Sequence, residues 1–187
     1  MVTYPIHTPE TAPATARPHL ASARQGWGFV PNLLAVLAEA PVALEGYVAL
    51  FGAFDRSSFT PSERQVVYLA INFDNACRYC MAGHSVLARK AGLSAAQVEA
   101  LRNGLRLSDP RLEALHRFSA LMVRQRGVVD PADVDAFLAA GFTRAQVLEV
   151  ILGIATKVLS NYTNHIAATP LDAFMAGSEW TPPARAA

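Results

Sequence analysis

Only two cysteines occur in the 187 residues, and charge is nearly as scarce: Asp, Glu, Lys and Arg together make up 17% of the chain, with a formal net charge of +1. So even a balance sets up no field that would draw nucleic acid or an anionic membrane surface. No window approaches the roughly 18 uninterrupted apolar residues of a spanning helix. The opening "MVTYPIHTPETAPATARPH" lacks the basic start and apolar core of a signal peptide. The expectation is a soluble, cytoplasmic protein that binds neither nucleic acid nor membrane. In a reducing compartment two neighbouring cysteines are redox-active or metal-binding more readily than they are a structural staple. Strict apolar–polar alternation is missing too, and with it the usual evidence for a half-buried strand.

What the chain has is apolar residues, 52% of the total, recurring at intervals of three and four. This period predicts an all-α protein, a single helical-bundle domain over 1–187 with about seven to nine helices. Helix starts are marked by proline at the first turn in 31–40 and 41–54. Thr60, Pro61 and Glu63 form a capping-box signature ahead of 60–73. Ser94, Asp109, Asp130 and Thr143 cap the later helices, the last being the longest. Residues 1–30 read as an arm or short helices, 41–126 as the core, 131–176 as C-terminal helices and 177–187 as a frayed tail. Phe59-Thr60 and Ile71 recur as Phe142-Thr143 and Ile154, a faint echo that chance or an old duplication explains equally well. Several helices, notably 41–54 and 143–166, look apolar over more than one face, so a homo-oligomer is expected.

Both cysteines lie in "NACRYCMAGHS", residues 75–85. A helix beginning near residue 76 puts Cys77 and Cys80 at i,i+3 and Cys80 and His84 at i,i+4, all on one face. The thiolate is the reactive form of cysteine, and an ordinary thiol is mostly protonated near neutrality. Two aids to ionisation are visible: unpaired N–H groups of the first helical turn near Cys77, and His84 as a base for Cys80. Cys80 is then the residue to meet an oxidant, and Cys77, at the more exposed tip, the one to resolve the product as a disulfide.

Preceded by "FTPSERQVVYLAINFD", this segment resembles the signature of alkyl hydroperoxidase D within the carboxymuconolactone decarboxylase-like superfamily, and the tail "SNYTNHIAATPLDAF" resembles its peroxidase-related branch. Asn75, Cys77, Tyr79, Cys80 and His84 match the family pattern. The resemblance implies thiol-dependent hydroperoxide reductase or disulfide oxidoreductase activity without a cofactor. It implies a hydroperoxide or disulfide substrate, a dithiol or thioredoxin-like reductant or a peroxiredoxin as partner, and a trimer or hexamer. Family members place a proton-relaying glutamate twelve residues before the first cysteine; this chain has Gln65 there, and Glu63 and Asp74 are the nearest carboxylates.

Other readings stay open. The cysteines serve as small buried hydrophobes in many proteins. Cys77, Cys80 and His84, with His165 as a fourth ligand, offer a zinc set on a non-enzymatic redox-switch module. Tyr79 is a packed aromatic or a pocket wall, and His165 a site neighbour or a helix-terminal histidine. Arg78 points to solvent, and His7, His19 and His116 read as surface residues. Trp27, Phe29, Phe51, Phe54 and Phe59 read as core or as a cover over the redox helix.

Overall fold

The computed structural model describes residues 3–183, and among them every regular element is helical. In chain order these are α1 (Arg17–Trp27), α2 (Asn32–Leu37), α3 (Pro41–Asp55), α4 (Pro61–Asp74), α5 (Arg78–Lys90), α6 (Ala95–Arg102), α7 (Pro110–Arg124), α8 (Pro131–Ala139), α9 (Arg144–Ala167) and a 3₁₀ turn at Ala173–Met175. The expected caps are in place. Thr60 and Glu63 close a capping box on α4, Ser94 and Gln97 one on α6, and Thr143 and Gln146 one on α9, while Asp109 and Asp130 cap α7 and α8. No single helix among the described residues is long and apolar enough to cross a membrane.

α4 is the centre of the bundle, packed on α5, α7 and α9, and α3 lies along α9. Its residues Val66, Val67, Leu69 and Ile71 are fully buried, joined by Phe54, Leu115, Phe137 and Val150 in the larger of two apolar clusters. The smaller cluster gathers Leu20, Leu33, Leu37, Leu44 and Tyr47 around Cys77, Tyr79 and Cys80. The dithiol thus lies in the seam where the N-terminal helices meet α5. The C-terminal segment is also docked: Trp180 is buried in the larger cluster and donates its indole N–H to Arg102 O at 2.8 Å, and Ser178 accepts from Arg89 at 2.7 Å. A frayed tail from residue 177 is therefore corrected as far as Trp180. Residues 184–187 of that expectation lie outside the described residues.

The corner before α5 differs from the expected continuous helical start. Asn75 ends α4, Ala76 takes a left-handed conformation with φ 54°, and Cys77 caps α5 with φ −85° and ψ 102°. Cys77 N–H bonds Asn72 O at 3.0 Å and Ala76 N–H bonds Phe73 O at 3.0 Å. This is the paired hydrogen-bond pattern of a Schellman ending, completed by an alanine in place of the usual glycine. Cys77 is therefore the last residue of one helix's ending and the cap of the next, not a member of a first turn.

α9 packs against α3 and α4 at Gly153, where a Cβ would lie 2.9 Å from Phe54 and 3.0 Å from Val67. Alanine is the better helix former by about 1 kcal/mol, but forcing a methyl into a filled core costs about 1–3 kcal/mol. Gly153→Ala should lower the urea midpoint, with m unchanged and a loss of about 1 kcal/mol.

Candidate active site

Position alone separates the two thiols. Cys80 occupies the third residue of α5, Cys77 its cap, and they approach to 3.5 Å. Both are buried, Cys77 completely, so the expected exposed tip is not found. Their partners come from α9. Asn164 Nδ2 donates to Cys80 Sγ at 3.2 Å and lies 4.0 Å from Cys77 Sγ, and Ser160 Oγ is 3.8 Å from Cys80 Sγ.

His84 is not the direct neighbour of Cys80 that helical spacing suggests. Its Nδ1–H donates to Gln65 Oε1 at 2.8 Å, which leaves Nε2 as an acceptor for Lys157 Nζ at 3.0 Å. Lys157, 1% exposed and 5.0 Å from the centre of the Tyr68 ring, stands between the imidazole and the thiol. Burial first, and then the Lys157 charge, push His84 well below the ordinary imidazole range, so the ring is neutral.

The thiols are driven in opposite directions. Burial opposes ionisation at Cys80, but the Cys77 hydrogen bond, the Lys157 charge and hydrogen bonds from Ser160 and Lys157 outweigh it and hold Cys80 well below the usual thiol range. Cys77 is pushed up, chiefly by its hydrogen bond to Cys80 and then by burial. One thiolate beside one thiol, facing a buried cation, is the resulting charge arrangement.

Around Cys80 opens a mainly apolar cavity of about 300 Å³, bounded by Trp27, Leu34, Phe51, Leu87 and Phe174, with His84 and Lys157 also among its lining residues. His19 lines it as well, a histidine that sequence reading leaves on the surface. Tyr79 is a wall. Its hydroxyl accepts from Leu33 N–H at 3.2 Å and donates to Asp172, which also takes the Asn32 N–H at 3.0 Å. Burial raises the Asp172 carboxyl despite these hydrogen bonds. The carboxylate thereby ties the segment before the 3₁₀ turn to α2 and α5, and Phe174 and Met175 complete the cavity.

The remaining candidates fall elsewhere. Gln65 does reach His84, but Glu63 is used in the α4 capping box and in a 3.0 Å ion pair with Arg111, and Asp74 pairs with Arg124 at 2.8 Å. Neither carboxylate stands in for the missing glutamate. His165 is exposed, stacks on Tyr162 and lines a different cavity beside Cys77. Among the described residues no three His, Cys, Asp or Glu side chains converge as metal ligands; His84 is turned to Gln65 and to a lysine cation, which opposes a metal at that position. His116 is buried against Glu113 at 3.6 Å and His7 is paired with Glu39 at 2.8 Å, so neither is a free surface residue. Arg78 is exposed and donates to Trp180 O. Phe54 and Phe59 are core, while Trp27, 43% exposed, stands at the cavity edge with Phe29 and Phe174 in ring contact behind it.

Residues 35–114 match the model of the carboxymuconolactone decarboxylase family. No curated protein matches the chain significantly. Among solved structures, a peroxidase-related protein with an alkylhydroperoxidase AhpD core from Ralstonia eutropha JMP134 superposes with a TM-score of 0.83 at 23% identity, covering 92% of this chain and 93% of its own. A peroxidase-related protein from Silicibacter sp. TM1040 gives 0.75 at 20% identity, with 94% and 93% covered. The debrominase Bmp8, in complex with 2,3,4-tribromopyrrole, gives 0.77 at 15% identity, with 95% of each chain covered. Residues 35–114 are thus similar to the family model, and the chain has the fold of AhpD-core, peroxidase-related proteins. The debrominase shows that this fold also serves other enzymes.

Lys157→Met keeps the side chain's length and removes its charge. A nearby cation lowers a thiol's pKa, so its loss raises the pKa and shrinks the thiolate fraction at pH 7. Alkylation of Cys80 by iodoacetamide at pH 7 should slow by about tenfold or more, one pKa unit being about 1.4 kcal/mol, with the inflection of the rate–pH curve moved upward.

Proposed function

We propose that this chain, built on the carboxymuconolactone decarboxylase family core, is a thiol-dependent hydroperoxide reductase that cycles Cys77 and Cys80 between dithiol and disulfide. The carrying observation is the pair of buried thiols of opposite acidity, 3.5 Å apart, with the acidic one at the foot of an apolar cavity beside Lys157.

The steps balance. The Cys80 thiolate attacks the terminal oxygen of a hydroperoxide, the O–O bond breaks, and Cys80 becomes a sulfenic acid. The departing alkoxide takes a proton from Lys157 and leaves as the alcohol. Cys77 then attacks the sulfenic sulfur, forming the disulfide and releasing water with its own proton. Two electrons have passed from the thiols to the peroxide. An external thiol returns them in two exchange steps, and its proton restores the Lys157 ammonium.

His84 acts through Lys157 in this scheme. Its Nε2 accepts from the ammonium and sets where the Nζ protons point, while Gln65 fixes the imidazole tautomer. Glutamine cannot relay a proton, so none reaches the Lys157–His84 pair through Gln65, and the proton Lys157 gives up is returned by the incoming thiol. Asn164 Nδ2, facing both sulfurs, stabilises negative charge at whichever carries it.

A second copy of the chain is the partner that supports this fold best. Leu148, Ile151, Tyr162 and Ile166 are 67%, 45%, 56% and 66% exposed and form one apolar stripe along α9, opposite the buried Lys157, Ser160, Asn161 and Asn164.

Two outcomes test these readings. With Cys77→Ser, one equivalent of cumene hydroperoxide should leave a sulfenic acid on Cys80 that dimedone traps, whereas Cys80→Ser should lose peroxide turnover; a trapped Cys77 in the second variant would reverse the roles. Light scattering at micromolar concentration should give a mass that is a multiple of 20.1 kDa, a trimer or hexamer, and Leu148→Glu with Ile151→Glu should reduce it to the monomer.

A further inference from the structure

The two thiols line different cavities. Cys80 lies in the apolar cavity with Phe51 and Leu87, whereas Cys77 lines a second one of about 500 Å³ together with Arg78, Asn164, His165, Thr169 and Trp180. Tyr79 is the wall common to both, and its hydroxyl is fixed by Asp172 and the Leu33 N–H. Each cavity therefore borders one of the two cysteines.

The second cavity has its own chemistry. Arg78 and His165 are exposed. Asn164 is 5% and Thr169 8% exposed, yet Asn164 Oδ1 and Thr169 Oγ1 have no hydrogen-bond partner among the described residues. Nearly all buried polar atoms in folded proteins are satisfied. Two that are not, on residues lining one cavity beside a reactive sulfur, mark capacity for a polar ligand that donates hydrogen bonds.

We propose that the second cavity admits the reductant, a low-molecular-weight thiol bearing amide N–H groups, which attacks Cys77 of the oxidised pair. This rests on the thiol-peroxidase reading above. Exchange at a disulfide requires the incoming thiolate, the attacked sulfur and the departing sulfur to lie nearly in line. With Cys80 on the side of the first cavity and Cys77 on the side of the second, attack from the second cavity meets Cys77 Sγ with Cys80 Sγ opposite. The S–S bond breaks, a mixed disulfide forms on Cys77, and Cys80 leaves as a thiolate beside Lys157, Ser160 and Asn164. A low-pKa sulfur is the faster leaving group. A second thiol then attacks the external sulfur of the mixed disulfide, releasing Cys77 and a small-molecule disulfide. Oxidant and reductant have separate doors, so the bulky apolar alcohol product need not depart before reduction begins.

Leu171 and Val48, each 37% exposed, line the second and first cavities respectively, and a tryptophan at either fills that cavity from its rim. The pair is oxidised either by cumene hydroperoxide or by diamide, and loss of the disulfide on mixing with glutathione is followed. Leu171→Trp should slow reduction by about tenfold or more, the scale of a misplaced reactant, and leave oxidation by cumene hydroperoxide unchanged; Val48→Trp should do the reverse. In Cys80→Ser, glutathione disulfide should label Cys77, and Leu171→Trp in the same background should suppress the label. Unchanged reduction in Leu171→Trp, or slowed reduction in Val48→Trp, overturns the proposal. Failure of cumene hydroperoxide to oxidise the wild type overturns the peroxidase reading instead, and the diamide-oxidised protein still reports on the second cavity.

Discussion

A lysine ammonium held inside a protein is costly unless something offsets its charge, and Lys157 at 1% exposure is such a case. Among the described residues it forms no ion pair with a carboxylate. What faces it is the lone pair of a neutral histidine, the π-face of Tyr68 and the Cys80 sulfur. A negative charge on the sulfur offsets the cation, and the cation in turn favours ionisation of the thiol. The rest of the site follows from it. Gln65 must orient the imidazole with Nε2 toward the ammonium, Asn164 and Ser160 must solvate the thiolate, and Cys77 must remain protonated because a second anion has nothing to balance it.

Much of this architecture was legible beforehand. Capping residues and three-to-four periodicity located the principal helices to within a residue or two, since caps are local chemistry that the chain states outright. The spacing in 75–85 and the resemblance identified the dithiol. Local spacing around the cysteines does not single out Lys157, yet the sequence carries a trace of it: in the apolar stretch of α9, Lys157, Ser160, Asn161 and Asn164 fall at i, i+3, i+4 and i+7. A polar stripe on an otherwise apolar helix, with apolar residues on the opposite face, is an inverted amphipathic pattern. It marks a helix whose polar side looks inward at a site and whose greasy side looks outward. The partner of His84 was misjudged for a different reason. Helical spacing gives which face a residue occupies but says nothing of what a distant helix inserts between two neighbours on that face. The docked Ser178 and Trp180 are likewise set by contacts with residues far along the chain, Arg89 and Arg102, invisible to any local rule.

Tyr79 and Asp172 give the site its walls. A single carboxylate receives the phenol, a main-chain N–H of α2 and, through the chain it belongs to, anchors the turn that carries Phe174 and Met175. Burial of that carboxyl raises its pKa, and hydrogen bonds from two elements are what keep it useful as an acceptor. Substrate-side shape and the partition between the two cavities thus hang on one residue pair, while the acidity of the thiols hangs on another.

The corner at Ala76 has a consequence for the order in which the protein comes into being. Its hydrogen bonds join residues no more than five apart, Cys77 to Asn72 and Ala76 to Phe73, so the two cysteines can be brought side by side as soon as α4 and the start of α5 exist. Apart from the Cys77 hydrogen bond, the groups that lower the Cys80 pKa, Lys157 and Ser160, lie on α9, far later in the chain. During synthesis the N-terminal part of a chain is available to fold first, and at that stage the Lys157 charge and the Ser160 hydrogen bond are absent. The cation facing Cys80 arrives only with the last long helix.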